Sequence, residues 1–119
     1  MTKRRVALLI EDDADIRELL CARVQRLGFD VETASTGAEG LLLAVDLRPD
    51  LVIIDIGLPD IDGWGVIDQL AEDDRTSTIP VIIASVADPI EDASRTVRAH
   101  LVKPIKRGAL EDAVREALE

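Results

Sequence analysis

The sequence predicts an α/β fold in which helices cover both faces of an open, doubly wound parallel sheet. Strand-like apolar runs alternate with amphipathic helical patterns along the whole chain, and this alternation is typical of repeated βα units. Three of the runs, residues 6–10, 51–54 and 80–85, show no polar alternation, as expected for strands buried on both faces. With 119 residues, of which 47% are hydrophobic, the chain is long enough for one compact domain, and we predict a single domain over residues 1–119.

The composition narrows the functional class. Lys and Arg number 14 against 24 Asp and Glu, which gives a formal net charge of -10. An acidic chain is repelled by phosphate, so we expect no direct nucleic-acid binding and no binding to an anionic membrane. No apolar run is long enough to span a bilayer. Cys21 is the single cysteine, so neither a disulfide framework nor a cysteine zinc site is expected. These features predict a cytoplasmic protein.

The first half of the chain contains three predicted strands and two predicted helices. After the strand at 6–10, a helix begins with Asp13 as its N-cap. The strand at 29–33 alternates weakly, as an edge strand does. The sequence Thr36-Gly37-Ala38-Glu39 is a capping-box pattern that begins the second helix, and the run at 51–54 follows. Apolar residues at helical spacing are expected to face the core: Ile16, Leu19, Leu20, Val24 and Leu27 in the first helix, and Ala38, Leu41, Leu42 and Val45 in the second.

The second half continues the same alternation. A third helix is predicted from about residue 63 to 73, and a fourth strand at 80–85. The segment 88–91 has a proline at a first helical position and begins a short fourth helix. A fifth strand is predicted at 99–102, and a final amphipathic helix at 110–118.

Charged and hydroxyl side chains follow the carboxyl ends of these strands. They are Glu11, Asp12 and Asp13 after the first strand, Asp55 after the third, Ser85 at the end of the fourth and Lys103 after the fifth. Parallel strands end at one edge of the sheet, where open α/β sheets bind their ligands. We therefore expect these side chains to converge.

Each of these residues also has an ordinary structural explanation. Asp13 can simply cap the next helix, Ser85 can be a turn residue, and Lys103 can be a solvated loop charge. Their occurrence together at one edge of the sheet indicates a functional site. Clustered carboxylates raise one another's pKa unless a cation lies among them, and oxygen ligands with an open outer face suit Mg²⁺. A lysine and a serine beside the cluster can stabilise a transferring phosphoryl group, and a carboxylate there can be its acceptor.

Competing ligand classes fit the same positions less well. No glycine-rich GxGxxG turn follows the first strand, and no Walker A pattern occurs in the chain. The acidic turn after that strand would repel a phosphate in the absence of a metal. A metal-dependent phosphatase that uses Asp55 as nucleophile would usually carry a second acid two residues later, where this chain has Gly57.

Five motifs resemble those of one known family. They are Leu9-Ile10-Glu11-Asp12-Asp13, Pro49-Asp50-Leu51-Val52-Ile53-Ile54-Asp55, Leu58-Pro59-Asp60-Ile61-Asp62-Gly63, Ile79-Pro80-Val81-Ile82 with Ser85, and Leu101-Val102-Lys103-Pro104. Together they resemble the receiver domain of bacterial two-component response regulators over essentially the whole chain. The resemblance implies a flavodoxin-like fold with strand order 2-1-3-4-5.

The resemblance also implies a role for each matching position. Asp55 would be the phosphoacceptor, with Lys103 and Ser85 binding the transferred group, and Ser85 would be a switch residue that turns toward that group. Lys103-Pro104 would be a cis peptide. The implied cofactor is Mg²⁺, with Asp12, Asp55, the backbone carbonyl of Gly57 and, through water, Glu11 as its ligands. The phosphodonor would be a phosphohistidine on a histidine kinase or a histidine phosphotransfer protein, and the downstream partner is open.

Three departures from the family pattern concern the output side. The second switch position, normally aromatic, is occupied by His100; it can act as a switch or be an ordinary strand-end residue. Ser85 and Lys103 are only 18 positions apart, which predicts a short fourth helix, as in receivers of hybrid histidine kinases. Val86 replaces a small residue and can restrict access to the site. Trp64 is expected to be partly buried near the Asp55 loop, with partner binding as the alternative.

We therefore predict a receiver that takes a phosphoryl group on Asp55 with Mg²⁺, and no enzymatic activity beyond gain and loss of that group. The alternative is a degenerate receiver that acts as an interaction module without phosphorylation. A metal-dependent phosphohydrolase is a more distant alternative.

Overall fold

The computed structural model describes residues 4–86 and 96–119. Within them, a parallel sheet of five strands has the order β2-β1-β3-β4-β5, which confirms the predicted fold class and strand order. The predicted short helix that begins at 88–91 lies outside the described residues. The elements are β1 (Val6–Ile10), α1 (Ala14–Gln25), β2 (Asp30–Ala34), α2 (Gly37–Leu47), β3 (Leu51–Ile54), α3 (Gly63–Glu72), β4 (Val81–Ser85), β5 (Val97–Val102) and α4 (Ala109–Ala117).

The core has two halves, one on each face of the sheet. Because side chains alternate along a strand, Ala7 and Leu9 of β1 pack toward α1 and α4, whereas Leu8 and Ile10 pack toward α2 and α3. Every residue of β3 is buried, which explains why the run at 51–54 carries no polar position. The two-sided burial fixes β1 and β3 firmly, and the functional residues follow directly after them.

The inward faces of two helices differ from the prediction. In α1, Leu20 and Val24 are buried, but Leu19 is 62% exposed. In α2, Ala38 and Leu42 are exposed, and the buried residues are the small ones, Gly37, Gly40 and Ala44. The reason is a close approach to the sheet: a Cβ added to Gly40 would lie 2.8 Å from Ile10 Cγ1. Hydrophobic spacing predicts large inward residues, whereas the fully buried positions of α2 hold only hydrogen or methyl side chains. Leu41, also predicted to face inward, is partly buried against the core.

The N-cap residues of α1 and α2 are the ones that the sequence predicts. Asp13 caps α1 by accepting hydrogen bonds from the N–H groups of Asp15 and Ile16. Thr36 caps α2 by accepting from Glu39 N–H at 3.2 Å. In a capping box the Glu39 carboxylate would accept a hydrogen bond from the N–H of Thr36. Here it accepts from the N–H of Ser35, one residue earlier.

Three strands begin at other residues than predicted; of these, β4 begins at Val81, one residue after the predicted start. β2 begins at Asp30, one residue after the predicted start, and Phe29 just before it is buried in the core at 4% exposure. β5 begins at Val97, two residues before the predicted start, and contains a β-bulge. Its register with β4 pairs Val81 with Val97 and Ile82 with Ala99, so Arg98 is an extra residue. Beyond the bulge, His100 pairs with Ile83.

No helix in the described ranges is both long enough and apolar enough to span a membrane.

Candidate functional site

Three charged side chains from distant parts of the chain meet at the carboxyl edge of the sheet. Glu11 and Asp55 are adjacent because β1 and β3 pair in register, and Asp55 N–H donates to the Ile10 carbonyl at 3.0 Å. Lys103 Nζ donates to Glu11 Oε1 and also contacts Asp55 Oδ2 at 3.2 Å. The predicted convergence of these three residues is therefore present in the structure.

The three side chains are largely withdrawn from water. The exposed fractions are 1% for Glu11, 11% for Asp55 and 9% for Lys103. Burial raises the pKa of Glu11, and the lysine hydrogen bond offsets this only in part. Burial would also raise the pKa of Asp55, but the Gly57 N–H and the Lys103 charge outweigh it and lower that pKa. Burial opposes the charge of Lys103, whereas Glu11 and Asp55 raise its pKa overall. Asp55 is thus an ionised carboxylate at neutral pH, as a nucleophile must be.

Glu11, Asp12 and Asp55 form a donor set for a cation. One carboxylate oxygen from each lies within 4.8 Å of the others. Glu11 is buried, whereas Asp12 is exposed, so the set is closed on the inside and open to solvent. Hard oxygen donors on an open site fit Mg²⁺, which keeps several of its waters. The residues present therefore fit the implied metal.

The loop after β3 places Gly57 beside Asp55. Gly57 N–H donates to Asp55 Oδ1 at 3.0 Å, which fixes one carboxylate oxygen toward the loop and leaves Oδ2 for Lys103. The loop closes on itself where Gly63 N–H donates to the Ile56 carbonyl at 2.8 Å. A side chain on Gly63 would be 2.6 Å from the Asp55 carbonyl oxygen, so only glycine allows this close return.

Ser85 ends β4 at the same edge and is buried, with 2% exposure. Its carbonyl accepts a hydrogen bond from Lys103 N–H at 2.9 Å, which ties the end of β4 to the residue after β5. The Lys103–Pro104 peptide is cis, as the resemblance implies. The structure therefore places Ser85 on the strand next to Asp55, with its backbone bonded to that of Lys103.

His100 lies in β5, on the face that carries Ile83. Its Nε2 is buried, with no hydrogen-bond partner in the described part of the chain. The ring of Trp64 lies 6.3 Å away between centroids, tilted by 55°. Trp64 is half-buried and packs against the α2 and α3 half of the core, as predicted. The two rings thus join the start of α3 to β5.

Two residues near the site received no functional role from the sequence. Arg17, one turn into α1, donates from Nη1 to the carbonyl oxygens of Glu11 at 2.9 Å and Asp12 at 3.4 Å. Its position five residues after Asp12 is the sequence signal for this contact. Asp60, in the loop after Asp55, accepts from Gly37 and Ala38 N–H groups at the start of α2. These bonds lower the pKa of Asp60, with the Ala38 N–H as the larger cause.

An apolar groove borders the site on the side of α1. Val86 is 77% exposed there and lines this groove together with Lys103. The groove is lined by Ile16, Leu19, Leu20, Arg23, Val86, Lys103, Pro104 and Ile105.

Comparison with known proteins identifies the family. Residues 7–115 match the family described as the response regulator receiver domain. The DNA-binding dual master transcriptional regulator RpaA of Synechocystis sp. is 40% identical over 71% of this chain and 35% of its own length. The probable transcriptional regulator ycf27 of Guillardia theta is 37% identical over 98% of this chain and 46% of its own. The chain thus spans less than half the length of these two relatives.

The fold is shared with solved receiver domains. One is the receiver domain of sensor histidine kinase PA1611 from Pseudomonas aeruginosa PAO1, crystallised with a magnesium ion coordinated in the active site cleft. The likeness has a TM-score of 0.85 and 22% identity, and covers 98% of this chain and 100% of that one. The sequence match over almost the whole chain and the shared fold lead to one conclusion: the chain belongs to the receiver-domain family of two-component response regulators.

Proposed function

We propose that Asp55 accepts a phosphoryl group from a phosphohistidine, with Mg²⁺ bound by Glu11, Asp12 and Asp55. The observation that carries this proposal is the contact of Lys103 Nζ with both Glu11 and Asp55. It brings the ionised carboxylate of Asp55, the neighbouring carboxylate of Glu11 and the ammonium group of Lys103 together at one edge of the sheet. The donor is a histidine kinase or a histidine phosphotransfer protein.

The reaction forms one bond and breaks another. An oxygen of Asp55 bonds to the phosphorus as the P–N bond of phosphohistidine breaks, and the released imidazole keeps the bonding electron pair. Lys103 lies 3.2 Å from Asp55 Oδ2, within reach of the negative charge on the transferring group. Gly57 N–H holds the other oxygen, so the carboxylate is oriented before the donor arrives.

The acidic residues provide a binding site for the Mg²⁺ ion that phosphoryl transfer requires. A Mg²⁺ ion held by Glu11, Asp12 and Asp55 would neutralise negative charge on the transferring phosphoryl group. Glu11 and Asp12 would balance the charge of the ion, and the resemblance to the family adds the backbone carbonyl of Gly57 as a further ligand. The magnesium-bound cleft of the Pseudomonas receiver domain supports the same cofactor for this chain.

Ser85 and His100 complete the proposal as switch residues. Ser85 would turn its hydroxyl toward the phosphoryl group and so change the packing behind β4. His100 lies one strand away on β5, with a buried Nε2 that has no partner among the described residues. A buried polar atom in that condition is costly, so a rearrangement that gives it a partner would be favourable.

The proposal sets limits on activity and partners. We expect no activity beyond acceptance and hydrolysis of the phosphoryl group. The names of the two relatives include DNA binding and transcription, but this chain covers only 35% and 46% of them. With a net charge of -10, the segment itself is expected to contact proteins in the cytoplasm and not nucleic acid. The degenerate alternative has no specific observation in its favour, because Lys103 contacts both Glu11 and Asp55, and carboxylate oxygens of Glu11, Asp12 and Asp55 lie within 4.8 Å of one another.

Replacing Asp55 by asparagine tests the proposal. The amide is not a nucleophilic carboxylate, so Asp55→Asn should take up no phosphoryl group from acetyl phosphate with Mg²⁺. The fold should persist, because the asparagine oxygen can still accept from Gly57 N–H. Intact-protein mass spectrometry measures the phosphorylated fraction. Asp50→Asn is the matched control, since Asp50 accepts from Val6 N–H at the opposite edge of the sheet. Equal phosphorylation of both variants would refute the assignment of Asp55.

A further inference from the structure

Asp60 links the loop after Asp55 to a helix that is distant in sequence. Its Oδ1 accepts from Gly37 N–H at 2.7 Å, and its Oδ2 accepts from Ala38 N–H at 2.9 Å. Both donors belong to the first turn of α2, where backbone N–H groups have no partner within the helix. A carboxylate also interacts favourably with the positive end of the helix dipole. Both oxygens of Asp60 are therefore engaged with the protein.

The other bonds of this loop are local. Gly57 N–H bonds to the Asp55 carboxylate, Gly63 N–H to the Ile56 carbonyl, and Gly65 N–H to the Asp62 carboxylate. They shape the loop between β3 and α3, but they do not fix it against the rest of the molecule. The two bonds from α2 to Asp60 supply such an anchor.

Close packing shows that the loop and α2 are already in contact. A Cβ on Gly37 would lie 3.0 Å from the Ile61 carbonyl oxygen and 2.9 Å from Val66 Cγ2. The loop backbone at Ile61 therefore rests against the start of α2, immediately beside Asp60. Movement of the loop away from α2 would break both hydrogen bonds and open this contact.

We propose that Asp60 is a positioning residue for the phosphoryl-transfer site: it anchors the loop on α2 and so holds the Gly57 backbone beside Asp55. The inference rests on the proposed function, because Gly57 is there both a partner of the Asp55 carboxylate and a metal ligand. Asp60 itself does not bind the metal, since its two oxygens are committed to α2. Its effect reaches the site through the three loop residues that separate it from Ile56.

Three substitutions separate anchoring from simple charge. Asp60→Ala removes both acceptors, Asp60→Asn keeps one acceptor but loses the charge, and Asp60→Glu keeps the charge but lengthens the side chain. Asp50→Ala is the control, because it also removes a carboxylate that accepts from a backbone N–H, on the opposite edge. Mg²⁺ binding by each variant is measured by titration calorimetry at fixed ionic strength, with thermal melts to confirm folding.

Anchoring predicts a specific order of affinities. Asp60→Ala should weaken Mg²⁺ binding on the order of tenfold, the effect typical of residues that orient metal ligands. Asp60→Asn should weaken it less, Asp60→Glu should not restore the wild-type affinity, and Asp50→Ala should be unchanged. If Asp60→Glu binds like the wild type while Asp60→Asn and Asp60→Ala are equally weak, only charge matters and the inference is wrong.

A second measurement does not depend on the metal. In the metal-free protein, backbone ¹⁵N relaxation should show lower order parameters at Gly57 and Leu58 in Asp60→Ala than in Asp50→Ala. Unchanged order parameters would overturn the anchoring role. A wild-type protein that binds no Mg²⁺ would instead refute the proposed function, and the relaxation data would still decide whether Asp60 holds the loop.

Discussion

At the scale of single residues, the site depends on the balance between Glu11 and Lys103. Glu11 is the more deeply buried of the two, and its second oxygen accepts from Asp13 N–H at 3.2 Å. The sequence predicted a metal ligand at this position, but the neighbouring residues could not reveal a direct pair with Lys103. That pair forms across a sequence separation of 92 residues and depends on how β1 and β5 are placed by the sheet.

Lys103→Met should destabilise the protein at neutral pH by about 3 kcal/mol, because removal of one partner leaves the other charge buried. Without the ammonium group, the pKa of Glu11 should rise further above 4.5. Above about pH 4.5, the Glu11 carboxyl group would then stay protonated in the folded variant but lose its proton in the unfolded chain. The loss of stability should therefore be smallest below about pH 4.5 and should grow as the pH rises.

Urea unfolding at acidic and neutral pH measures this difference. Glu11→Gln in the Lys103→Met background is the control, because it removes the uncompensated charge and should recover most of the lost stability. A deficit that is independent of pH would mean that lost packing, and not the buried charge of Glu11, causes the destabilisation.

At the scale of elements, α2 shows how close packing decides an inward face. Gly40→Ala would normally stabilise a helix by about 1 kcal/mol. Here the added methyl group would lie 2.8 Å from Ile10 Cγ1, and overpacking of this kind costs about 1–3 kcal/mol. We expect a net loss of about 1 kcal/mol in the free energy of unfolding, measured by chemical denaturation.

Shortening the facing side chain provides the matched control. In the Ile10→Val background, the terminal methyl of Ile10 is gone, so Gly40→Ala should cost less than in the wild type. If Gly40→Ala leaves the free energy of unfolding unchanged in both backgrounds, α2 can move away from the sheet without loss of stability, and the close approach is not important.

The element β5 carries the second prediction at this scale. If phosphorylation moves Ser85, the space around His100 should change. Beryllofluoride with Mg²⁺, a mimic of the phosphoryl group, should then shift the ring proton resonances of His100. The fluorescence of Trp64 should change as well, because its ring is 6.3 Å from that of His100.

Ser85→Ala is the control for this coupling, since it retains Asp55 and the acidic residues but loses the hydroxyl that would turn. Ring shifts that respond to beryllofluoride equally in the wild type and in Ser85→Ala would show that His100 senses the site by another route. No response in either protein would mean that His100 is not a switch residue.

At the scale of the whole molecule, the excess of acidic residues makes the fold sensitive to a bound cation. A ligand that binds only the folded state stabilises it by about 2.7 kcal/mol at a hundredfold excess over its dissociation constant. Asp12→Ala should abolish most of the increase in melting temperature that Mg²⁺ produces, because it removes the exposed member of the donor set. Without Mg²⁺, the variant should be as stable as the wild type or more so, since repulsion among the carboxylates is relieved.

The matched control for this experiment is Glu18→Ala, which removes an exposed negative charge from α1. It should retain the full shift in melting temperature. If Mg²⁺ raises the melting temperature of Asp12→Ala as much as that of Glu18→Ala, the metal binds elsewhere.

The sequence predicted the large features of this molecule because they depend on strong, repeated signals. Unbroken apolar runs identified β1, β3 and β4, and residues that follow parallel strands must share an edge, so Glu11, Asp55 and Lys103 could be grouped. The inward face of α2, the Asp60 anchor and the extra residue in β5 depend on contacts between distant segments. No local pattern encodes the distance between Gly40 and Ile10 or the partner of Asp60.

The extra residue at Arg98 has a consequence for counting along β5. Side chains along a strand alternate between the two faces of the sheet, so one extra residue exchanges the faces of all later odd- and even-numbered positions. Val97 packs on the α2 and α3 side and Ala99 on the α1 and α4 side, although two strand residues with that spacing would normally share a face. Deletion of Arg98 should therefore give a regular strand in which Ala99 directly follows Val97 and still packs on the α1 and α4 side, so that His100 keeps its face beside Trp64.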